Sequence, residues 1–239
     1  MTTTATPTLR DWLREGPFAL AMSSGFFGFF AHCGVLTVLE DEGLLPTRLS
    51  GSSAGALVTG AWASGLDAVR LRDELMVLER AHFWDPRPGF GLLAGRLFRD
   101  KLDALLPTRD FTRCRAPVAI SIYELLRLRT RVAESGDLSA AIHASCALPG
   151  LFHPVWIDGA PFIDGGVADL PGLAGIAAGA RVLHHGLGRG RARPRPGLAA
   201  LRIDGLPRVG PFRLHQGARA FDHARRATQQ ALARAAAVI

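Results

Sequence analysis

The segment GSSAG, residues 51–55, contains a serine in the spacing that nucleophilic serines use. Gly51 and Gly55 flank Ser53 in the pattern G-x-S-x-G. A short strand is predicted before this turn, and the small and apolar residues after it have helical spacing. Small neighbours permit the sharp strand-to-helix turn that exposes a serine Oγ at a helix N-terminus, where free N–H groups favour an oxyanion. Ser53 is therefore the candidate nucleophile, and a tight βα turn without chemistry is the alternative.

A second glycine-containing loop lies one βα unit earlier, after the predicted strand FALAMS. The carboxyl ends of parallel strands lie at one edge of a sheet, so this loop should face a carbonyl group held at Ser53. Backbone donors aimed at the developing negative charge accelerate acyl transfer. The predicted oxyanion donors belong to Gly25, Phe26, Phe27, Gly28 and Ala54.

A serine nucleophile needs a base, and the sequence offers two kinds. Asp164 is followed by Gly165 and Gly166 in a tight turn, and burial there would raise its proton affinity enough to accept the serine proton. The alternative is a Ser–Asp–His triad whose histidine is His184, His215 or His223. Ser53 follows only the second predicted strand, whereas an α/β-hydrolase usually places its nucleophile after several strands. This position argues against the triad.

Strands and helices alternate along the chain. Strands are predicted over 18–23, 47–50, 180–187 and 198–204, and two hairpins are predicted, one from strands 116–125 and 128–135 and one over 155–166 with its turn at Asp158-Gly159. Helices are predicted over 28–42, 56–63, 66–80, 136–150 and 214–236. Residues 81–107 are predicted to be rich in loops. This alternation predicts an α/β fold with three layers, α/β/α, and a mainly parallel central sheet. One domain is expected over residues 17–239, after a flexible N-terminal segment over residues 1–16.

Composition limits the class of protein. The chain of 239 residues has a formal net charge of +7, which favours anionic partners without choosing among them. Three scattered cysteines, Cys33, Cys114 and Cys146, predict neither a disulfide framework nor a zinc site, and a cytoplasmic location is expected. Residues 16–39 carry no charged side chain, but Pro17 and a Ser-Ser-Gly break favour a buried strand and helix over a membrane span.

Together, the glycine loop, GSSAG, AIHASCALPGLFHPVWIDG and FIDGG resemble the patatin-like phospholipases over about residues 18–169. The resemblance implies a three-layer α/β fold, lipid acyl hydrolysis through an acyl-enzyme, and no metal or organic cofactor. It also implies a dyad of Ser53 and Asp164 in place of a triad. The family's loop is usually G-G-G-x-[RK]-G, whereas here Ser23 and Ser24 replace the first two glycines and Phe27 replaces the basic residue.

Several alternatives remain open at this point. A catalytically weak or inactive lipid-binding module on the same fold is one, and a Ser–His–Asp esterase is another. A nucleotide-binding protein is disfavoured, because bulky phenylalanines crowd the loop where backbone would approach phosphate. The partner expected is a lipid or other acyl ester; nucleic acid is not expected, and no oligomeric state is predicted.

Two further segments carry weaker signals. Aromatic residues around 83–98 lie near Arg87, Arg96 and Arg99, a composition suited to peripheral contact with a membrane. The more common reading is a loop folded over its own core. The basic segment GRGRARPRPG, residues 188–197, could hold phosphate or could be a solvated loop.

Overall fold

A computed structural model describes residues 7–236, and within them ten strands are found. In chain order they are β1 Ala19–Met22, β2 Arg48–Ser52, β3 Gly91–Leu93, β4 Val118–Glu124, β5 Arg129–Ala133, β6 Gly150–Phe152, β7 Val155–Ile157, β8 Ala160–Asp164, β9 Val182–His185 and β10 Leu198–Leu201. Strands β3 and β6 pair with each other, and the other eight form one central sheet.

The central sheet has the order β10-β9-β1-β2-β4-β8-β7, with β5 also paired to β4. Strands β10, β9, β1, β2 and β4 run parallel, whereas β5, β8 and β7 join by antiparallel pairings. The predicted mixed α/β class with a mainly parallel central sheet is confirmed. Both predicted hairpins, β4–β5 and β7–β8, also form.

Strands β2 and β8 lie end to end along one edge of β4. Strand β5 pairs with residues 120–124 of β4 on one edge, so the other edge is left for both β2, at residues 118–121, and β8, at residues 122–124. Ser52 is the partner of Ser121, and Asp164 is the partner of the next residue, Ile122. The register of the sheet thus brings the end of β8 to the end of β2.

Seven α-helices are found within the described residues: α1 Leu9–Glu15, α2 Phe29–Asp41, α3 Ala54–Ala63, α4 Ala68–Met76, α5 Arg96–Leu105, α6 Leu138–Ser145 and α7 Gly217–Leu232. The main core lies between the sheet and this helical layer, where Leu20, Leu49 and Ile120 are fully buried. On the opposite face the sheet presents small side chains, and the segment 168–181 packs directly against them.

Helix α1 corrects the prediction of a flexible segment over residues 1–16. Residues 1–6 lie outside the described residues. From Thr8 onward the chain is ordered, because Thr8 and Asp11 form a reciprocal capping box and Leu9, Trp12 and Leu13 are buried. The Leu9 N–H also donates to the Arg234 carbonyl oxygen over 2.8 Å, which ties this helix to the end of α7.

Helix α5 corrects the prediction of a loop-rich stretch over residues 81–107. Phe98, Leu102 and Leu105 have i, i+4, i+7 spacing, a helical pattern that the surrounding prolines and glycines obscured. The uncharged residues 16–39 divide into β1, a turn and α2. Among residues 7–236 no helix combines the length and the apolar composition needed to span a membrane.

Candidate active site

Ser53 occupies a strained turn between β2 and α3. Its φ of 51° and ψ of −118° lie in a region that residues other than glycine rarely adopt, as expected where a nucleophile projects from a sharp turn. Gly55 is required here, because a Cβ on it would lie 2.1 Å from the Met22 carbonyl oxygen at the end of β1. The close contact between α3 and β1 therefore depends on the second glycine of GSSAG.

Asp164 faces this serine from the end of β8. The Ser53 Oγ donates to Asp164 Oδ2 over 2.6 Å, and the Gly166 N–H donates to Asp164 Oδ1 over 2.7 Å. The Asp164 side chain is only 5% exposed. Burial raises the pKa of Asp164 to about 6, although both hydrogen bonds oppose that rise. A carboxylate in this state can accept a proton from a hydroxyl group near neutral pH.

Neighbouring residues fix the backbone of both groups. Ser145, the last residue of α6, accepts from the Ser53 N–H over 2.8 Å and donates to the Ser121 carbonyl oxygen over 2.7 Å. Gly165 lies so close to β4 that a Cβ on it would be 2.0 Å from that same carbonyl oxygen. Helix α6 and the DGG turn therefore both contact the Ser121 carbonyl oxygen, the first by a hydrogen bond and the second by close packing.

The predicted oxyanion loop forms a turn at the carboxyl end of β1. The Gly28 N–H donates to the Gly25 carbonyl oxygen over 2.8 Å, and Phe27 has a positive φ of 54°. Within the part of the chain that the structure describes, the N–H groups of Gly25, Phe26, Phe27 and Ala54 have no acceptor. The Gly28 and Ser53 N–H groups are engaged elsewhere, so those four are the donors available to an oxyanion.

The histidines of the alternative triad do not contact Ser53. His184 Nε2 lies 2.9 Å from the Pro171 carbonyl oxygen, and His223 Nε2 lies 2.9 Å from the Asp204 carbonyl oxygen. His215 is exposed. Within residues 7–236, none of these three forms a hydrogen bond with the Ser53 hydroxyl, which is donated to Asp164.

A buried histidine pair supports the start of the oxyanion loop. His32 Nε2 lies 2.9 Å from the Ser23 carbonyl oxygen, so this nitrogen carries the proton. His32 Nδ1 then accepts from His185 Nδ1, which is 2.8 Å away. Burial lowers the pKa of His32 to about 3 and that of His185 well below its usual value, so both rings are neutral. The pair positions backbone and was not predicted from the sequence.

A cavity of about 1120 Å³ opens beside the serine. Ser53, Asp164 and residues 24–28 line it together with side chains from α3, α4, α5 and the segments 187–191 and 203–211. Most of its wall is apolar, contributed by Phe27, Phe29, Leu57, Leu75, Leu78, Phe83, Trp84, Phe98, Leu102, Leu105, Leu148, Phe152, Leu187, Ile203 and Leu206. Its volume and apolar wall are those of a small-molecule site.

Sequence reasoning missed several residues around this cavity. Cys146 lines it, with its Sγ 3.3 Å from the Ser53 carbonyl oxygen, and burial raises the pKa of that thiol well above its usual value. Leu187 packs over Gly25 and Gly28. Only the A-S-C-A-L-P-G stretch signalled Cys146 and Ser145. Nothing local in the sequence places Leu187 beside a loop about 160 residues earlier.

A family model described as patatin-like phospholipase matches residues 20–173. An uncharacterized NTE family protein of Mycobacterium bovis is 32% identical over 162 residues, which are 66% of this chain and 45% of that protein. An uncharacterized NTE family protein of Mycobacterium tuberculosis matches with the same identity and coverage. The chain thus spans less than half the length of the curated relatives it matches.

Among solved structures, VipD from Legionella pneumophila has a TM-score of 0.68 to this chain at 13% sequence identity. The match covers 90% of this chain and 66% of that one, and at such low identity it shows the fold alone. The family model is the stronger finding, because it spans more than half of the chain, from β1 past the DGG turn. This chain belongs to the patatin-like phospholipase family.

Proposed function

We propose that this protein is a lipid acyl hydrolase that cleaves carboxylic esters with Ser53 as nucleophile and Asp164 as base. The observation that carries the proposal is the 2.6 Å hydrogen bond from Ser53 Oγ to a carboxylate that is almost fully buried. A hydroxyl that donates to a carboxylate with raised proton affinity is poised for proton transfer as it attacks a carbonyl carbon.

The reaction proceeds in two halves. Ser53 Oγ attacks the ester carbonyl carbon while Asp164 takes the serine proton, and the oxyanion is stabilised by the available N–H groups of the loop 25–27 and of Ala54. Collapse of the intermediate expels the alcohol, which receives that proton from Asp164, and leaves an acyl-enzyme. Water then attacks the acyl carbon, Asp164 takes its proton, and the fatty acid leaves as the proton returns to Ser53.

The cavity supports a lipid as the source of the ester. Its wall is mostly apolar and extends from Ser53 past Leu57 toward α4 and α5, so an acyl chain bonded to the serine would lie against apolar side chains. Family membership supports the same substrate class. The absence of a histidine contact to Ser53 within the described residues favours the dyad over the triad.

Fluorophosphonate labelling, with ester turnover in parallel, tests this function. Ser53→Ala should abolish both, whereas Ser52→Ala should keep labelling because Ser52 Oγ points to Ser24 and not to the cavity. Asp164→Asn should lower turnover by about 10²–10⁴-fold, the usual contribution of a general base. Asp158→Asn, an exposed aspartate in the β7–β8 turn, is its control.

Full turnover by Ser53→Ala would contradict the proposal. A well-folded wild type that is not labelled and hydrolyses no ester would point to the alternative, a lipid-binding module on the same fold. Activity that survives Asp164→Asn but is lost on changing one C-terminal histidine would point to a triad.

A further inference from the structure

The loop of residues 187–191 is held in a fixed position beside the oxyanion loop. The Leu187 N–H donates to Ser23 Oγ over 2.8 Å. The Leu187 side chain fills the space over Gly28, where an added Cβ would lie 2.3 Å from Leu187 Cδ1. The Gly190 N–H closes a turn by donating to the Leu187 carbonyl oxygen over 2.7 Å. Arg189, at the tip of this turn, is therefore held next to the oxyanion loop.

Four of the charged side chains in the cavity wall neutralise one another. Lys101 Nζ lies 2.6 Å from a carboxylate oxygen of Glu74, where α5 faces α4. Arg191 forms an ion pair with Asp204. This second pair joins the loop 187–191 to the segment 203–211, so both segments lie on the same side of the cavity.

Two guanidinium groups on that side lack an acidic partner. Arg189 and Arg208 both line the cavity, both are exposed, and neither has a carboxylate within 4.0 Å among residues 7–236. The oxyanion loop itself carries no positive charge, since it has Phe26 and Phe27 between its glycines. The cavity thus has a positively charged side beside the oxyanion loop and an apolar part toward α4 and α5.

We propose that Arg189 and Arg208 bind a phosphate group carried by the alcohol portion of the substrate, so that the enzyme prefers acyl esters of phosphate-bearing alcohols to neutral acylglycerols. Guanidinium groups bind phosphate oxygens through paired, charge-assisted hydrogen bonds. An acyl chain in the apolar part and a phosphate at the two arginines would place the ester at Ser53, between them. This inference rests on the proposed hydrolase function.

Matched substrates test the proposal. A monoacylglycerol phosphate and a monoacylglycerol with the same acyl chain are compared with the wild type, Arg189→Ala, Arg189→Lys and Arg208→Ala. Arg193→Ala is the control, since Arg193 is an exposed arginine of the same basic segment that does not line the cavity. Fluorophosphonate labelling reports whether the serine site is intact in each variant.

The wild type should prefer the phosphate-bearing ester by about tenfold or more in kcat/KM, the typical value of hydrogen bonds to charged groups. Arg189→Ala should lose that preference mainly through KM, Arg189→Lys should keep part of it, and Arg193→Ala should match the wild type. Equal rates for both esters in the wild type would overturn the proposal. So would an equal loss on both esters in Arg189→Ala, which would indicate a structural role.

A binding measurement separates this inference from the hydrolase proposal. An alkyl ether analogue of the monoacylglycerol phosphate cannot be hydrolysed, and its affinity is measured with and without Arg189→Ala. A loss of affinity of about tenfold supports the phosphate site even in a protein without turnover. In a competition assay, labelled analogue bound to the protein is displaced either by unlabelled analogue or by inorganic phosphate. If inorganic phosphate displaced it as effectively as the unlabelled analogue, the site would be assigned to free phosphate and the head-group proposal would be overturned.

Discussion

The Asp164 carboxyl group is subject to two opposing influences. Burial favours its protonated form, and the hydrogen bonds from Ser53 and the Gly166 N–H favour its ionised form. Burial is the larger effect and raises the pKa of Asp164 to about 6 from 3.8. The residue is thus a stronger base than an exposed aspartate and is still mostly ionised at neutral pH, which suits a group that must accept and return one proton per half-reaction.

This pKa predicts an acidic limb in the pH dependence of activity. Only ionised Asp164 can accept the serine proton, so kcat/KM should fall as pH drops through about 6 and should lose about tenfold for each further pH unit. The measurement is kcat/KM for a short-chain ester from pH 4.5 to pH 8.5. A profile that is flat down to pH 4.5 would contradict the role of Asp164 as base.

Asp164→Asn provides a stability control for the same titration. The native pKa lies above the unfolded value, so the folded state binds the proton more tightly and wild-type stability decreases as pH rises from about 4 through about 6. Asparagine removes this buried charge. The variant should therefore be at least as stable as the wild type at pH 8, by up to about 3 kcal/mol, although its turnover is strongly lowered. Thermal unfolding at pH 5 and pH 8 checks this.

At the scale of elements, the sheet register brings the serine and the carboxylate together. Strands β2 and β8 meet end to end along β4, and their chain positions differ by more than a hundred residues. The local signals for each element, such as GSSAG before a helix and a Gly-Gly turn after a strand, are readable from sequence. Their meeting on one edge of β4 is a non-local pairing that no local pattern encodes. The family resemblance implied the dyad of Ser53 and Asp164 but not this register.

Helix α5, in contrast, has a local signal that could have been read from the sequence. Its apolar residues have helical spacing, but nearby glycines and prolines masked this pattern. In the structure, Leu102 and Leu105 line the cavity together with Leu75 of α4. The Lys101–Glu74 ion pair lies at this part of the cavity wall. We propose that an acyl chain extends from Ser53 toward this pair and that α5 therefore sets the accepted chain length.

Leu105→Trp should shorten that chain length. The larger side chain would occupy part of the apolar cavity, and each methylene kept in water costs about 0.8 kcal/mol, so exclusion of two methylenes lowers kcat/KM by roughly tenfold. Activity on a four-carbon ester should be unchanged. The measurement is kcat/KM across esters of increasing chain length.

Leu97→Trp is the matched control for this prediction, since Leu97 lies on the same helix but is exposed and outside the cavity wall. An equal loss at every chain length in Leu105→Trp would indicate general disruption of the site. An unchanged profile would mean that the acyl chain lies elsewhere.

At the scale of the whole molecule, exposed aromatic residues lie beside the cavity. Phe26 is 58% exposed and lines the cavity, and Phe212 is 70% exposed and packs against Trp84 with ring centroids 5.8 Å apart. The guanidinium group of Arg80 lies over both of those partners, Trp84 and Phe212. Among the aromatic residues around 83–98 that the sequence indicated, Phe90 is 91% exposed, whereas Phe83 is buried. Phe83 packs against Phe27 and Trp84 packs against Phe212, and the sequence alone did not show these contacts.

From these features we propose that the surface around Phe26, Trp84 and Phe212 binds to an anionic lipid surface. Phe26→Ser combined with Phe212→Ser should weaken binding to vesicles of phosphatidylglycerol and phosphatidylcholine by about tenfold, since it removes two apolar anchors. Added salt should weaken binding further, because it screens the attraction of the nearby arginines to anionic lipid. Flotation of protein with vesicles is the measurement.

Leu45→Ser is the matched control. Leu45 is also exposed, but it precedes the amino end of β2, whereas Ser53 follows the carboxyl end of the same strand. Binding of the double variant equal to that of the wild type would contradict docking through this side. An equal loss in Leu45→Ser would show that vesicle binding depends on general surface hydrophobicity. Selective loss would mean that the cavity opens toward the membrane, so that a lipid could reach Ser53 without crossing bulk water.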